Sequence, residues 1–217
     1  MRSTASPSSP FALPLLAIPF LAAALVVPAI AAPQTFDFKD PKGVNNATFR
    51  LDAPLETING SANGVSGTLT VDPSKPEATT GTIVVDARTL HVENPMMKEH
   101  LHGKDWMDTT THNEITFTVA GLGDIKKAGD TVEAMVKGTF TMKGVAKEIS
   151  VPAKATLLPG KLAARTNGKM EGDLLVLRSS FTLKRTDFGI NPGAPSEKVS
   201  DEIEVSLAIA GACPKQS

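Results

Sequence analysis

The chain has 217 residues, with 22 Lys+Arg against 23 Asp+Glu and a formal net charge of −1. So even a balance gives no sign of the basic surface that nucleic-acid binding needs. The single cysteine, Cys213, cannot close an internal disulfide, so the core must hold itself together without covalent cross-links.

Residues 1–31 carry one basic residue, Arg2, and no acid; an apolar run over residues 11–30 ends in Ala29-Ile30-Ala31-Ala32. Small residues after an apolar stretch mark a secretory signal peptide, with the cut expected after Ala31 and the mature protein in the periplasm or secreted. The competing reading is a retained membrane anchor of roughly 20 apolar residues. Against it, Pro14, Pro19 and Pro28 interrupt the run and no polar linker comes after it. No cysteine opens the mature chain, which argues against a lipoprotein anchor. About 186 residues remain, enough for one domain with a real core.

Residues 32–46 read as an N-terminal arm with a short strand near residues 35–38. Residues 47–52 alternate, with Phe49 and Leu51 on one face and Thr48 and Arg50 on the other. Residues 55–71 form a long stretch punctuated by Gly60, Gly64 and Gly67, and glycines inside strand patterns mark bulges or bends. Residues 81–86 are another strand. Asn94, Pro95 and Gly103 then frame a two-turn helix, with Met97 and Leu101 on one face. Residues 115–119 resume the strand pattern.

The clearest hairpin spans residues 132–151. Val132, Ala134, Val136, Gly138, Phe140 and Met142 share one face, and Lys143-Gly144 offers a two-residue turn into Val145, Ile149 and Val151. Residues 153–158 extend the second arm. Residues 172–183 and 203–209 are further alternating strands, and residues 212–217 read as a tail. About eight strands with one short helix, at near-regular spacing, predict an all-β antiparallel sandwich or barrel. A barrel of that size holds either packed side chains or one small apolar ligand.

Several pieces resemble the YceI-like proteins, exported lipocalin-like barrels that bind polyisoprenoid chains. They are Asn63-Gly-Val-Ser-Gly-Thr-Leu-Thr-Val-Asp72, His100-Leu101 with Trp106-Met-Asp108, Ile115-Thr-Phe117, Val136-Lys-Gly-Thr-Phe-Thr-Met-Lys-Gly-Val145, and Lys184-Arg-Thr-Asp-Phe-Gly-Ile190. The resemblance implies a single eight-stranded barrel over residues 47–211 with a long isoprenoid, such as a polyprenyl quinone or related amphiphile, threaded through an apolar tunnel. It implies a carrier without catalysis, and leaves room for transient membrane contact and a homodimer. The chain departs from the family pattern at Ala53-Pro54 and Lys143, where a histidine is usual, and at Lys98-Glu99, where Arg-Asp is usual.

Alternation then sets the expected ligand lining: Phe49, Leu69, Val85, Trp106, Phe117, Val136, Phe140, Phe181, Phe188 and Val205. Phe188 carries two readings, a tunnel lip that touches ligand or a structural corner in which Asp187 bonds backbone amides and the ring plugs the core. Trp106 and Met107 line a lipid entrance or close a barrel end. The alternatives to a lipid carrier are a structural or interaction barrel with a filled core, and a periplasmic metal or haem protein. The last would use the His/Met segment at residues 91–107, but His100 and His102 diverge on a helix and no haem-attachment motif exists. No nucleophile elbow, phosphate loop or His-Glu-x-x-His appears.

Overall fold

Alternation dictates most of the architecture, because every second side chain of a strand must find the same side of a wall. The computed structural model describes residues 32–215; the expected signal peptide lies outside them. Among the described residues there are eleven strands: β1 (Gln34–Asp37), β2 (Asn46–Asp52), β3 (Thr57–Ala62), β4 (Val65–Val71), β5 (Thr80–Asp86), β6 (His91–Val92), β7 (Glu114–Ala128), β8 (Thr131–Met142), β9 (Val145–Leu158), β10 (Gly172–Lys184) and β11 (Glu202–Pro214). Two helices join them, α1 (Pro95–His102) and α2 (Leu162–Arg165). The pairing order, closed by β11 against both β1 and β2, makes an eight-staved antiparallel barrel. β1 with β2, β3 with β4, and β5 with β6 each make one interrupted stave.

The hairpin of β8 and β9 keeps its expected register from Thr131↔Thr156 to Met142↔Val145. Lys143 (φ 49°) and Gly144 (φ 74°) both take positive φ, the geometry of the tight hairpin turn whose twist matches its strands. Gly138 is a glycine for a packing reason. A Cβ there would stand 2.6 Å from the Phe117 ring and 2.4 Å from the Thr118 carbonyl. Gly60 lies under the Phe49 ring in the same way, with 2.1 Å available.

Three sequence expectations need correction. The N-terminal arm is part of the wall: β1 pairs β4 from Gln34↔Val71 to Asp37↔Thr68, because Phe36 and Phe38 bury almost completely. The C-terminal tail is likewise wall, since β11 runs to Pro214 and pairs Cys213 with Asp173. Burial, and then the Asp173 carboxylate, push the Cys213 thiol up in pKa against a backbone hydrogen bond with Thr35. A second helix, α2, closes the stretch after β9 and packs on β10 and β11.

The stave formed by β1 and β2 is broken by an excursion over residues 39–45, and one side chain repairs the break. The buried Asn45 carboxamide donates to Ala210 O (3.1 Å) and Phe38 O (2.9 Å) and accepts from Ala210 N (2.8 Å). It pairs with β11 as a backbone would, midway between Asp37↔Ala212 and Asn46↔Ala208. Asp40 holds the excursion by accepting from the N–H groups of Lys42, Val44 and Asn45, and pairs with Arg165 of α2 at 3.1 Å.

A second break is not repaired in that way. β9 and β10 pair only from Leu158↔Leu174 to Ala153↔Ser179. The next residue of β9 is Pro152, which has no N–H to donate, and Ser179 Oγ donates to its carbonyl at 2.6 Å. Beyond it, residues 145–152 and 180–184 face each other without a ladder.

Candidate functional site

The barrel encloses a cavity of about 490 Å³, within the range of small-molecule sites, roughly 300–1,000 Å³. It extends from Gln34, Lys127 and Asp130 at one end to Met97, Leu101, Trp106 and Ile203 at the other. Between them the walls are almost entirely Val, Leu, Ile, Ala, Met and Phe. Two core clusters meet along it. One holds Leu90, Met107, Phe140, Met142 and Phe188, the other Phe36, Phe38, Leu69, Ile83 and Ile209; Val85 packs on both.

Nine of the ten residues expected to line a ligand site border this cavity: Phe49, Leu69, Val85, Trp106, Phe117, Val136, Phe140, Phe181 and Val205. The register brings several together. Phe181 pairs with Val205 and Val205 with Phe49 across β10, β11 and β2, while Phe117 pairs with Phe140 across β7 and β8. Phe49, Val85, Phe117, Val136, Phe181 and Val205 point inward yet are only partly buried. Their remaining accessible surface faces the cavity, because the facing walls stand too far apart to touch.

Phe188 is the exception. It does not border the cavity; it is 2% exposed and stands edge-on to Phe140, centroids 5.6 Å apart. Phe140 makes a second edge-on contact with Phe181 at 6.2 Å. The corner reading fits this placement, with one change. Gly189 takes a left-handed φ of +64°, and the carboxylate bonding the corner is Asp201, not Asp187. Asp201 accepts from the Thr186 N–H and hydroxyl, both at 3.0 Å. Its partial burial raises its pKa, but those bonds and the Arg185 charge outweigh this and hold it below the ordinary carboxylate value.

The end bearing Trp106 is capped by α1. Asn94 accepts the Met97 N–H at 3.1 Å as the N-cap, and Met97 and Leu101 turn toward the cavity as their spacing requires. Gly103 ends the helix in extended conformation (φ −71°) rather than left-handed. The two ring nitrogens of His102 meet Thr109 Oγ1 (3.0 Å) and Leu90 O (2.9 Å). Among the described residues no group of three His, Cys, Asp or Glu is placed to hold a metal ion.

Two residues of this end carry structure that alternation did not assign. Arg185, 2% exposed, donates to the carbonyls of Ser200 (3.1 Å), Ile190 (2.9 Å), Asn191 and Ala194 (3.3 Å), so it straps residues 190–200 over the cavity. Lys143 sends its ammonium to Asp105 O (3.0 Å) and Gly189 O (3.1 Å), tying the hairpin turn to the cap and to the corner. The signal for Arg185 was its place inside the corner motif; for Lys143 it was a long cation on a turn that Gly144 alone could have made.

A YceI-like domain profile matches residues 40–210. The chain belongs to the YceI-like family. Its relatives include protein YceI of Shigella flexneri, 25% identical over 152 residues, covering 70% of this chain and 72% of that protein. A UPF0312 protein of Pseudomonas putida (strain GB-1) is 29% identical over 149 residues, covering 68% of this chain and 72% of that protein. Among solved structures, Burkholderia cenocepacia BcnA superposes with a TM-score of 0.61 at 20% identity, over 76% of this chain and 95% of that one. A domain from Saccharophagus degradans described as polyisoprenoid-binding superposes with a TM-score of 0.58 at 11% identity, over 84% of this chain and all of that one. At these identities the two structures speak for the shared YceI-like barrel.

Proposed function

We propose that this YceI-like barrel binds the hydrocarbon tail of an isoprenoid-type lipid in its central cavity, as an exported carrier or reservoir released by signal-peptide cleavage. The observation that carries the reading is the apolar, aromatic-belted cavity along the barrel. The description of the Saccharophagus degradans neighbour as polyisoprenoid-binding supports the choice of ligand. No chemical step is required. Affinity comes from removing the tail from water, about 0.8 kcal/mol per buried methylene, against the loss of translational and rotational freedom on association.

The chain offers its own reporter. Trp106 is its only tryptophan, there is no tyrosine, and Trp106 borders the cavity. Titrating apo protein with geraniol, farnesol and geranylgeraniol should change Trp106 emission, with affinity rising at least about tenfold per added isoprene unit until the cavity is full. Native mass spectrometry of protein from its own host should show a co-purifying lipid. Phe140→Asp should abolish both signals while the barrel stays folded, because it puts an unpaired carboxylate in the belt. A folded Phe140→Asp protein that retains lipid at the wild-type level, or a Trp106 signal indifferent to all three alcohols, overturns the reading.

A further inference from the structure

The unpaired stretch between β9 and β10 has an odd occupant. Lys147 lies opposite Phe140 in the β8–β9 register, which puts it at an inward position of β9, yet it is exposed. An inward lysine keeps its ammonium in water by reaching past the core, and here it does so beside the unpaired stretch. Outside that opening lies a hollow of about 400 Å³, bordered by Lys147 and Ile149 of β9, Thr182 and Lys184 of β10, Glu202 of β11, and Phe188. Phe188 is thus shared: one side meets this surface hollow, and the other packs on Phe140, which borders the central cavity. The Phe188 ring and Leu183, which borders both spaces, separate the two. No backbone ladder runs across this stretch, and the ring is carried on a short corner (Arg185–Phe188) rather than on a strand of the wall.

We infer that the gap between β9 and β10 is a side port through which a lipid tail enters and leaves the central cavity, with Phe188 as its displaceable plug. This rests on the lipid-binding reading above. The two capped or rimmed ends are tied by polar bonds: Arg185 straps residues 190–200, and Lys127 Nζ donates to Pro73 O at 2.8 Å across the far rim. Across the port the Phe188 ring itself makes apolar contacts, which have no fixed direction and re-form after displacement, while the polar ties of its corner run through Asp201 and Lys143. The charged lip of Lys147, Lys184 and Glu202 lets a polar head group remain hydrated while the tail passes. The unpaired edges let β9 and β10 part without breaking a ladder.

The test is kinetic. Stopped-flow Trp106 fluorescence with farnesol gives association and dissociation rates for wild type, Phe188→Ala, Phe188→Leu and Phe38→Leu. The last removes bulk from the other core cluster, at a ring that borders neither the cavity nor the surface hollow. A plug requires that Phe188→Ala raise both rates by about tenfold or more with Kd changed by less than about threefold, with Phe188→Leu in between, since a gate alters the path and not the end states. Phe38→Leu should leave both rates near wild type. If wild type binds farnesol and the Phe188 variants exchange it no faster than Phe38→Leu, the port is overturned while the binding reading stands. If wild type does not bind, it is the binding reading that fails. Should Phe188→Ala not fold, Phe188→Leu, which keeps an apolar side chain in place, decides alone.

Discussion

Two interruptions of the barrel wall, the one between β1 and β2 and the one between β9 and β10, are closed by opposite chemistry. Where β1 gives way to β2, the Asn45 carboxamide takes the place of a peptide and pairs with Ala210. Where β9 leaves β10 at Pro152, the Ser179 hydroxyl makes the last polar bond, and beyond it the Phe188 ring stands beside the unpaired stretch. A hydrogen-bonded closure in a dry wall is all or nothing, because the partners it leaves have no water to turn to. An apolar closure is graded, since its strength scales with contact area and no donor is orphaned when it shifts. The first belongs to permanence and the second to passage.

The sharpest way to break the contrast is Asn45→Ala. It strands the Phe38 and Ala210 carbonyls and the Ala210 N–H in a buried site. The loss should be about 3 kcal/mol, from a penalty of roughly 1–3 kcal/mol per stranded group after partial relaxation. For a domain of this size that lowers Tm by roughly 10 °C, readable by calorimetry. Farnesol exchange in the protein that remains folded should stay near the wild-type rate. A variant as stable as wild type would mean that the carboxamide does not seal the wall.

Asp40 tests the same closure through pH. Its side chain is 4% exposed. Burial pushes its pKa up, but the N–H groups of Asn45, Lys42 and Val44 and the Arg165 charge pull harder, so it titrates below 3.8 when folded. A depressed folded-state pKa means the carboxylate's contribution is complete above its unfolded value of 3.8 and is lost as the pH falls through the lower folded value. Asp40→Asn should therefore cost about 2 kcal/mol at neutral pH, and the gap to wild type should narrow as unfolding is tracked down through that acid window. A gap constant from neutral pH to strong acid would assign the effect to shape rather than charge.

How far these features were legible in the sequence depends on what alternation can and cannot carry. It placed β8, β10 and β11 and turned Phe49, Phe117, Phe140 and Phe181 inward, because period two depends only on the chain itself. It could not say that β1 closes the barrel or that β11 continues to Pro214, since those ends are held by partners far away in sequence and not by their own pattern. Asn45 read as loop, because a side chain that imitates a peptide looks like any turn asparagine. Phe188 read as a candidate lining residue, because hydrophobicity alone does not distinguish the wall of a cavity from the plug beside it. The port did leave a trace: Lys147 and Pro152 are the two misfits in an otherwise regular β9, one charged where the register wants apolar, the other unable to continue a ladder.

The smallest effect separates a latch from a plug. Lys143 donates to the carbonyl of Gly189, the residue after Phe188, and to that of Asp105 in the cap. Lys143→Met keeps most of the side chain and removes both bonds. The acceptors are solvent-accessible and water can replace the ammonium, so stability should fall by less than about 1 kcal/mol. The corner, however, loses the tie nearest to the plug. Exchange of farnesol should quicken by about twofold, in the direction of Phe188→Ala and well short of it, as expected for a contact that biases a gate without forming it. Combined with Phe188→Ala, the Lys143→Met change should add nothing further, because holding the corner matters to exchange only while the corner carries a ring. Additive rate changes in the double variant would place Lys143 on a separate route into the cavity, at the α1 cap, and would shift the way in from the side of the barrel to its end.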